Sequence, residues 1–547
     1  MTGKGLRGFF ASLTASWALV GLGASGCGKL ADDVFCKSTD CEWSAQEWQR
    51  VAALGGLPEQ APTDTTNHLV GNAAAEKLGQ KWFFDGRFAG NATVVDQLKR
   101  PVPYARAAKG QPANVSCASC HDLARGGIDD TSVPNYVSIG TGWFDVNAQP
   151  VLNAAFYDLS FWNGRTDSLW AQAIAATEGP VSMNSSRLHV AWVINDLYAA
   201  DYDALAGAPL PMSGTSAAVQ AIVDATGARA GQCTLVAGAC PTDKGCVETA
   251  DAAGGASACY PRFPLQGKPG SKAGCQPNDT TEPYGDAWDC MAKDDQDAVT
   301  RVFVVFGKAL AAYEARLISR NSAFDTFVTE GAGSTAISSS AVRGARLFVG
   351  RAACSDCHNT PLLADNQFHD IGVPQVGAAV PTEAECPNGG VCDCVEVPAS
   401  MASDGSAIPK KDAKNCLPWG FKDGVAKLKK NAFRRDSVFS DDMTDMSRQK
   451  YVDLTVDEVS KGKWRTPSLR DVALTAPYMH DGCFSTLEEV VDHYDRGGAA
   501  GAAVGAPAPQ LRPLFLSATD KADLIEFLKT LSGELLASDL RTAPVLP

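Results

Sequence analysis

Two five-residue runs, Cys117-Ala118-Ser119-Cys120-His121 and Cys354-Ser355-Asp356-Cys357-His358, share the pattern C-x-x-C-H. Two thiols one helical turn apart can each add to a vinyl group of one haem, and the His that follows then lies beneath the iron as its proximal ligand. Zinc ribbons and thioredoxin-type centres also pair their Cys, but neither needs the adjacent His. The two runs therefore imply two covalently bound c-type haems, one on Cys117, Cys120 and His121 and the other on Cys354, Cys357 and His358. The runs fall in different halves of the 547-residue chain. That spacing implies one haem per domain.

The elements around these runs read as helices. Val302, Phe303, Phe306, Leu310 and Tyr313 recur at helical intervals, as do Leu524, Phe527, Leu528 and Leu531, whereas strand signals are short and scattered. A mainly α architecture with long loops follows. Two Cys-rich, Gly-rich segments interrupt it. The first, about 206–297, holds Cys233, Cys240, Cys246, Cys259, Cys275 and Cys290, and the second, about 377–418, holds Cys386, Cys392, Cys394 and Cys416. Each has an even Cys count, as disulfide-stapled insertions do; a structural zinc site is the weaker reading because neither segment contains a His.

Export fits the chemistry. Lys4 and Arg7 precede an apolar stretch from Gly8 to Gly26, the pattern of a secretory signal peptide, and Ala24-Ser25-Gly26-Cys27 resembles a lipoprotein cleavage box. Residues 1–26 are read as the signal, with Cys27 as a lipid anchor in the periplasm or outer envelope; ordinary cleavage nearby and an uncleaved anchor are the alternatives. Residues 27–72, with Cys36 and Cys41, read as a tether. The remainder divides into an N-terminal haem domain at 73–334, a C-terminal haem domain at 335–535 and a tail at 536–547. Lys and Arg number 48 against 62 Asp and Glu, a net charge of −14, which argues against a nucleic-acid partner. Of the 18 Cys, only Cys483 falls outside the haem runs, the anchor, the insertions and the Cys36/Cys41 pair.

The flanks of both runs carry a resemblance. Glu76-Lys77-Leu78-Gly79-Gln80-Lys81-Trp82-Phe83-Phe84-Asp85-Gly86-Arg87, Phe161-Trp162-Asn163-Gly164-Arg165 and Leu474-Thr475-Ala476-Pro477-Tyr478-Met479-His480-Asp481-Gly482 resemble the bacterial dihaem cytochrome c peroxidase and MauG superfamily over about 73–205 and 298–540. The resemblance implies two cytochrome c-like domains whose haems face one another across a boundary. It also implies hydrogen peroxide as oxidant, and an electron-donor protein or an oxidisable substrate as reductant.

Ligand positions carry the branch. Where the peroxidases place a Met ligand, fourteen residues after His480, this chain has Tyr494, as MauG-type enzymes do; the adjacent His493 is the rival ligand. Where the peroxidases place a capping His, the chain has Thr141 in Gly140-Thr141-Gly142-Trp143, which implies an open first iron. The family's distal Gln and Glu match Gln172 and Ser182, so the acid-base group is missing unless Glu178, four residues upstream, replaces it. Trp162 matches the indole between the haems. Asn147, Thr475 and Pro477 match the ligands of one calcium ion. His369 and His480 match positions near the second haem, and His68 and His189 read as structural or surface residues. The reading that follows is an exported dihaem oxidoreductase that reacts with peroxide at the N-terminal haem and relays electrons through the C-terminal one. A dihaem electron carrier without peroxide turnover is the first alternative, and an oxygenase resembling the rubber-cleaving dihaem enzymes is the second.

Overall fold

The computed structural model of the chain describes residues 43–547 apart from 97–100, 103–104, 130–137, 145, 214–243, 248–257, 262, 264, 270–287, 290, 374–391, 396–414, 419, 457 and 500–504. The signal segment, Cys27, Cys36 and Cys41 lie outside the described residues, as do most residues of both Cys-rich segments. In chain order the helices are α1 (Ala45–Ala52), α2 (Ala73–Phe84), α3 (Leu169–Thr177), α4 (Arg187–Leu197), α5 (Ala199–Ala206), α6 (Lys293–Glu314), α7 (Ala323–Glu330), α8 (Ser339–Val349), α9 (Phe421–Lys430), α10 (Gln449–Val452), α11 (Leu487–Asp495), α12 (Ala518–Lys529) and α13 (Ser538–Arg541). Strand content is small, so the fold is mainly helical. Strands β1 (Lys244–Val247) and β2 (Ala258–Pro261) pair antiparallel; of β3 (Phe368–His369), β4 (Cys392–Val395), β5 (Asn415–Pro418) and β6 (Trp464–Arg465), β3 pairs with β6 and β4 with β5, both antiparallel. In these registers Cys246 stands opposite Cys259, and Cys394 opposite Cys416.

Polar side chains start the helices. Asn72 accepts from the backbone N–H groups of Ala74 and Ala75 at the start of α2, and Ser168 and Ser338 do the same for Ala171 in α3 and Ala341 in α8. Thr486 with Glu489 and Ser517 with Asp520 form reciprocal capping boxes on α11 and α12. Each half of the molecule is then built on one close helix crossing. A Cβ on Gly79 of α2 would lie 1.9 Å from the Ala309 carbonyl oxygen of α6, and a Cβ on Gly344 of α8 would lie 2.0 Å from the Asp523 carbonyl oxygen of α12. Only glycine admits such contact.

Around the first crossing α2, α3, α4 and α6 bury Leu78, Trp82, Trp170, Ile174, Phe303 and Phe306. Around the second, α7, α8, α11 and α12 bury Phe324, Phe327, Phe348, Val491, Leu524 and Phe527. Phe324 and Phe327 of α7, ahead of the expected boundary at 335, belong to this C-terminal core, where Phe324 meets Phe527 of α12 edge-on at 5.2 Å.

The ends of the described chain correct the expected tether. Ordered structure begins at Trp43, and Trp43, Val51 and Leu54 are buried in the C-terminal core. Arg50 Nη1–H donates to the Val349 carbonyl (3.0 Å) and Gly56 N–H to Asp325 (3.0 Å). The amphipathic α1 had too few residues to stand out from the irregular sequence around it. At the other end, the tail returns to the N-terminal core: Tyr313 OH and the Gln80 amide donate to Leu540 O (2.5 and 3.1 Å), and Arg87 Nη1–H donates to Pro547 O (3.0 Å). The two ends are exchanged, each lying on the domain that is remote from it in sequence.

Candidate functional site

Both C-x-x-C-H runs fold as a single 3-10 turn, Cys117–Ser119 and Cys354–Asp356, and each opens on its own cavity. In the first, His121 Nδ1 lies 3.0 Å from the Gly127 carbonyl oxygen; in the second, His358 Nδ1 lies 2.6 Å from that of Leu363. A carbonyl can only accept, so Nδ1 carries the proton in both rings and Nε2 keeps its lone pair for a metal. Burial lowers the pKa of both imidazoles, which favours this neutral form. The thiols are half-buried. Desolvation pushes Cys120 and Cys354 up to about 12 and raises Cys117 further, which favours the protonated form.

The N-terminal cavity, about 510 Å³, is lined by Cys117, Cys120, His121, Gln172, Ser182 and Glu314 among others. Gln172 lines this cavity. Thr141 is not in the wall. Its backbone N–H donates to Ser182 O (2.8 Å) and its hydroxyl to Pro180 O (3.2 Å), so the Gly140–Trp143 turn is fastened to the 180–183 segment with its one polar side chain already bonded. Thr141 therefore contributes no distal hydroxyl. Glu178 is corrected in the same way: it caps the C-terminus of α3 outside the cavity wall, with its carboxylate accepting from Arg187 Nε (3.0 Å) and Nη2 (3.3 Å). Ser182 does line the cavity, and its hydroxyl donates to the Ala176 and Gly179 carbonyls.

Glu314, which the sequence reading passed over, ends α6 in this wall. It is 5% exposed, and burial with no compensating partner among the described residues raises its carboxyl to about 8. The one sequence signal was an acid directly after the apolar Ala309–Tyr313 run.

The C-terminal cavity, about 220 Å³, is lined by Cys354, Cys357, His358, His369, His480 and Tyr494. Tyr494 and His493 part company here. Neighbours on a helix diverge by about 100°, and α11 turns Tyr494 into the cavity while His493 Nε2 meets the Ile371 carbonyl (2.9 Å) outside its wall. Burial depresses His493 to about 4 and raises Tyr494. His369 pairs with Asp365 (2.7 Å), whose hydrogen bond lifts it to about 9. His68 and His189 have structural partners, Asp441 and the Arg87 carbonyl. Cys483 is a half-buried thiol outside any disulfide, raised by desolvation.

One wall serves both cavities. Asn147, Trp162, Trp464 and Arg465 line each of them. Trp162 Nε1–H donates to Asn147 O (2.9 Å), and its ring meets His480 edge-on at 6.4 Å. His480, depressed to about 3 by burial, stacks on Trp464 at 4.1 Å and 18°. Trp162, His480 and Trp464 thus form a continuous aromatic partition. The position of Trp464 and Arg465, just before the Thr466-Pro467-Ser468 run, gave no sign of this in sequence.

Of the residues expected to hold calcium, Asn147 and Pro477 lie together, with Asn147 Nδ2–H donating to the Pro477 carbonyl (2.6 Å). The haem expectation has its own support. Each cavity offers a thiol pair and a neutral imidazole with a free nitrogen, and the shared wall holds guanidinium N–H groups of Arg465 that are unpartnered among the described residues.

The family model for di-haem cytochrome c peroxidase matches residues 73–228. Among curated relatives, a protein of Pseudomonas sp. (strain SCT) named cytochrome-c peroxidase IdrP1 is 26% identical over 86% of this chain and 85% of its own length. The methylamine utilization protein MauG of Methylorubrum extorquens is 24% identical over 97% of each chain. Among solved structures, a MauG-like protein associated with microbial copper homeostasis aligns at 21% identity and a TM-score of 0.48, over 89% of this chain and 97% of that one. Two C-x-x-C-H turns, each on its own cavity, and relatives that span most of the sequence lead to one conclusion: the chain is similar to the dihaem cytochrome c peroxidases and MauG proteins, which are oxidoreductases.

Proposed function

We propose that the protein is an exported dihaem oxidoreductase in which hydrogen peroxide reacts in the N-terminal cavity and reducing equivalents arrive through the C-terminal one. The observation that carries this reading is the shared partition of Trp162, His480 and Trp464 between two cavities, each with its own Cys pair and His. When bound, the haems supply iron for peroxide reduction and for electron transfer. His121 and His358 would hold the irons through Nε2, and Tyr494 would offer its phenol oxygen in the cavity that His358 lines. A phenolate ligand favours the oxidised side of the couple where a Met would favour the reduced side, which suits a MauG-type relay. Gln172 supplies the polar group of the N-terminal cavity. Trp162 packs the gap between the sites with its indole N–H fixed on Asn147, so water is excluded from the path. The apolar segment Gly8–Gly26 and Cys27 support export and lipid attachment.

The test is to mix the purified oxidised protein with one equivalent of peroxide. A rapid change in the Soret and visible bands is expected, and an unchanged spectrum would rule the reading out. The second reading, an electron carrier without peroxide turnover, is favoured by the occupied hydroxyl of Ser182 and by the ion pair that holds Glu178 outside the cavity. Ser182→Glu separates the two. A gain of a hundredfold or more in peroxide consumption, the usual worth of a positioned acid-base group, would show that the native cavity lacks that group.

A further inference from the structure

Arg465 is 3% exposed, yet its Nε and Nη1 find no hydrogen-bond partner among the described residues. The other buried arginines nearby are paired: Arg470 with Asp325 (2.8 Å), and Arg435 with Asp64 (2.9 Å) and Asp445. A buried charge without a counter-ion costs several kcal/mol, and the Tyr157 ring 3.4 Å from the Arg465 Cζ returns only about 2 of them. Nor does a described residue bring an anion to it. Among the described residues the wall of the C-terminal cavity contains no Asp or Glu, and in the N-terminal cavity Asp96 and Asp423 have partners of their own, Asp423 in Lys427, while Glu314 is held protonated by burial.

The guanidinium is also rigidly placed. Its backbone N–H donates to Trp162 O (2.9 Å), its strand pairs with Phe368 opposite Arg465, and Tyr157 covers one face of the group. Arg465 stands in the wall of both cavities. The missing anion must therefore enter with the ligands that fill those cavities. Haem fits this requirement because every haem carries two propionate carboxylates, and Arg binds carboxylates through its N–H edge.

We propose that Arg465 is a carboxylate clamp shared by the two cofactors, holding a propionate from each haem and thereby tying both reduction potentials to one positive charge. The inference rests on the two-haem reading but not on peroxide chemistry. A cation beside a haem disfavours the oxidised iron, so its removal makes both haems harder to reduce. Arg465 is a positioning residue, and its effect is thermodynamic.

The experiment is spectroelectrochemistry of the full-length protein, with haem counted first as the pyridine haemochrome. Replacing Arg465→Met should shift the reduction equilibrium of both haems toward the oxidised form by tenfold or more, about 59 mV each. Arg465→Lys, which keeps the charge, should stay within a few-fold of wild type while the propionate bending bands of both haems move in resonance Raman spectra. If Arg465→Met fails to accumulate, the lysine variant decides alone: unchanged propionate bands would overturn the proposal. So would a shift of one haem only, or of neither. Wild-type potentials that follow added inorganic phosphate would overturn it too, by showing that a free anion fills the site. Fewer than two haems would overturn the clamp together with the two-haem reading, whereas two haems indifferent to Arg465 would overturn the clamp alone.

Discussion

A carboxylic acid buried without a partner keeps its proton, and Glu314 is such a group, raised from 4.5 to about 8 by burial. Between those values the folded chain holds a proton that the unfolded chain releases. Its contribution is therefore most favourable below pH 4.5 and is lost as pH rises toward 8. Glu314→Gln removes the titration. Its stability relative to wild type should climb by about 1.4 kcal/mol per pH unit across that window and level off near pH 8, read as the gap between the two proteins in urea melts at several pH values. A constant gap would show that Glu314 is ionised in the folded state. The same residue marks what could be read without coordinates. The two Cys pairs and their His were legible because the C-x-x-C-H spacing is local in sequence. Thr141 and Glu178 were misplaced because the direction of a short polar side chain depends on what its loop packs against, here the Pro180 carbonyl and Arg187. Glu314 and Arg465 were invisible because nothing local in a sequence says that a charge is buried.

At the scale of elements, each domain depends on a crossing that only glycine allows. Gly79→Ala would drive a Cβ into the Ala309 carbonyl, and Gly344→Ala into that of Asp523. Alanine favours a helix over glycine by about 1 kcal/mol, but two backbones must separate to admit it. Each substitution should therefore destabilise by roughly 2 kcal/mol or more in denaturant unfolding. A neutral or stabilising result would mean that the helices can part freely. The long helices α6 and α12 were legible from their apolar period, and the glycines within α2 and α8 were not, since a helical glycine shows its purpose only once a second helix lies across it. Likewise α1 escaped notice: eight residues give a short period, and the partner of Trp43 and Val51 is nearly three hundred residues away.

For the molecule as a whole, the exchanged ends hold the two halves together. The tail brings Leu536 into the N-terminal core and bonds it to Tyr313, Gln80 and Arg87. Deleting residues 538–547 removes those three side-chain bonds and the partly buried Leu540, so a loss of about 3 kcal/mol is expected. Calorimetry of the haem-loaded protein would show it as a lowered first transition, and an unmoved transition would mean that the tail only lies on the surface. At the other end, Asp325 joins three remote segments: it accepts from Gly56 N–H, pairs with Arg470 and caps α7.

This exchange also sets an order of events during synthesis. The segment from Trp43 to Gly56 is made before its seat on α7 and α8, which follows both the first C-x-x-C-H run and the first Cys-rich segment in the chain. Until then Trp43, Val51 and Leu54 have no core to enter. Contacts so distant in sequence form late and slowly. The earliest part of the described chain is thus among the last to settle.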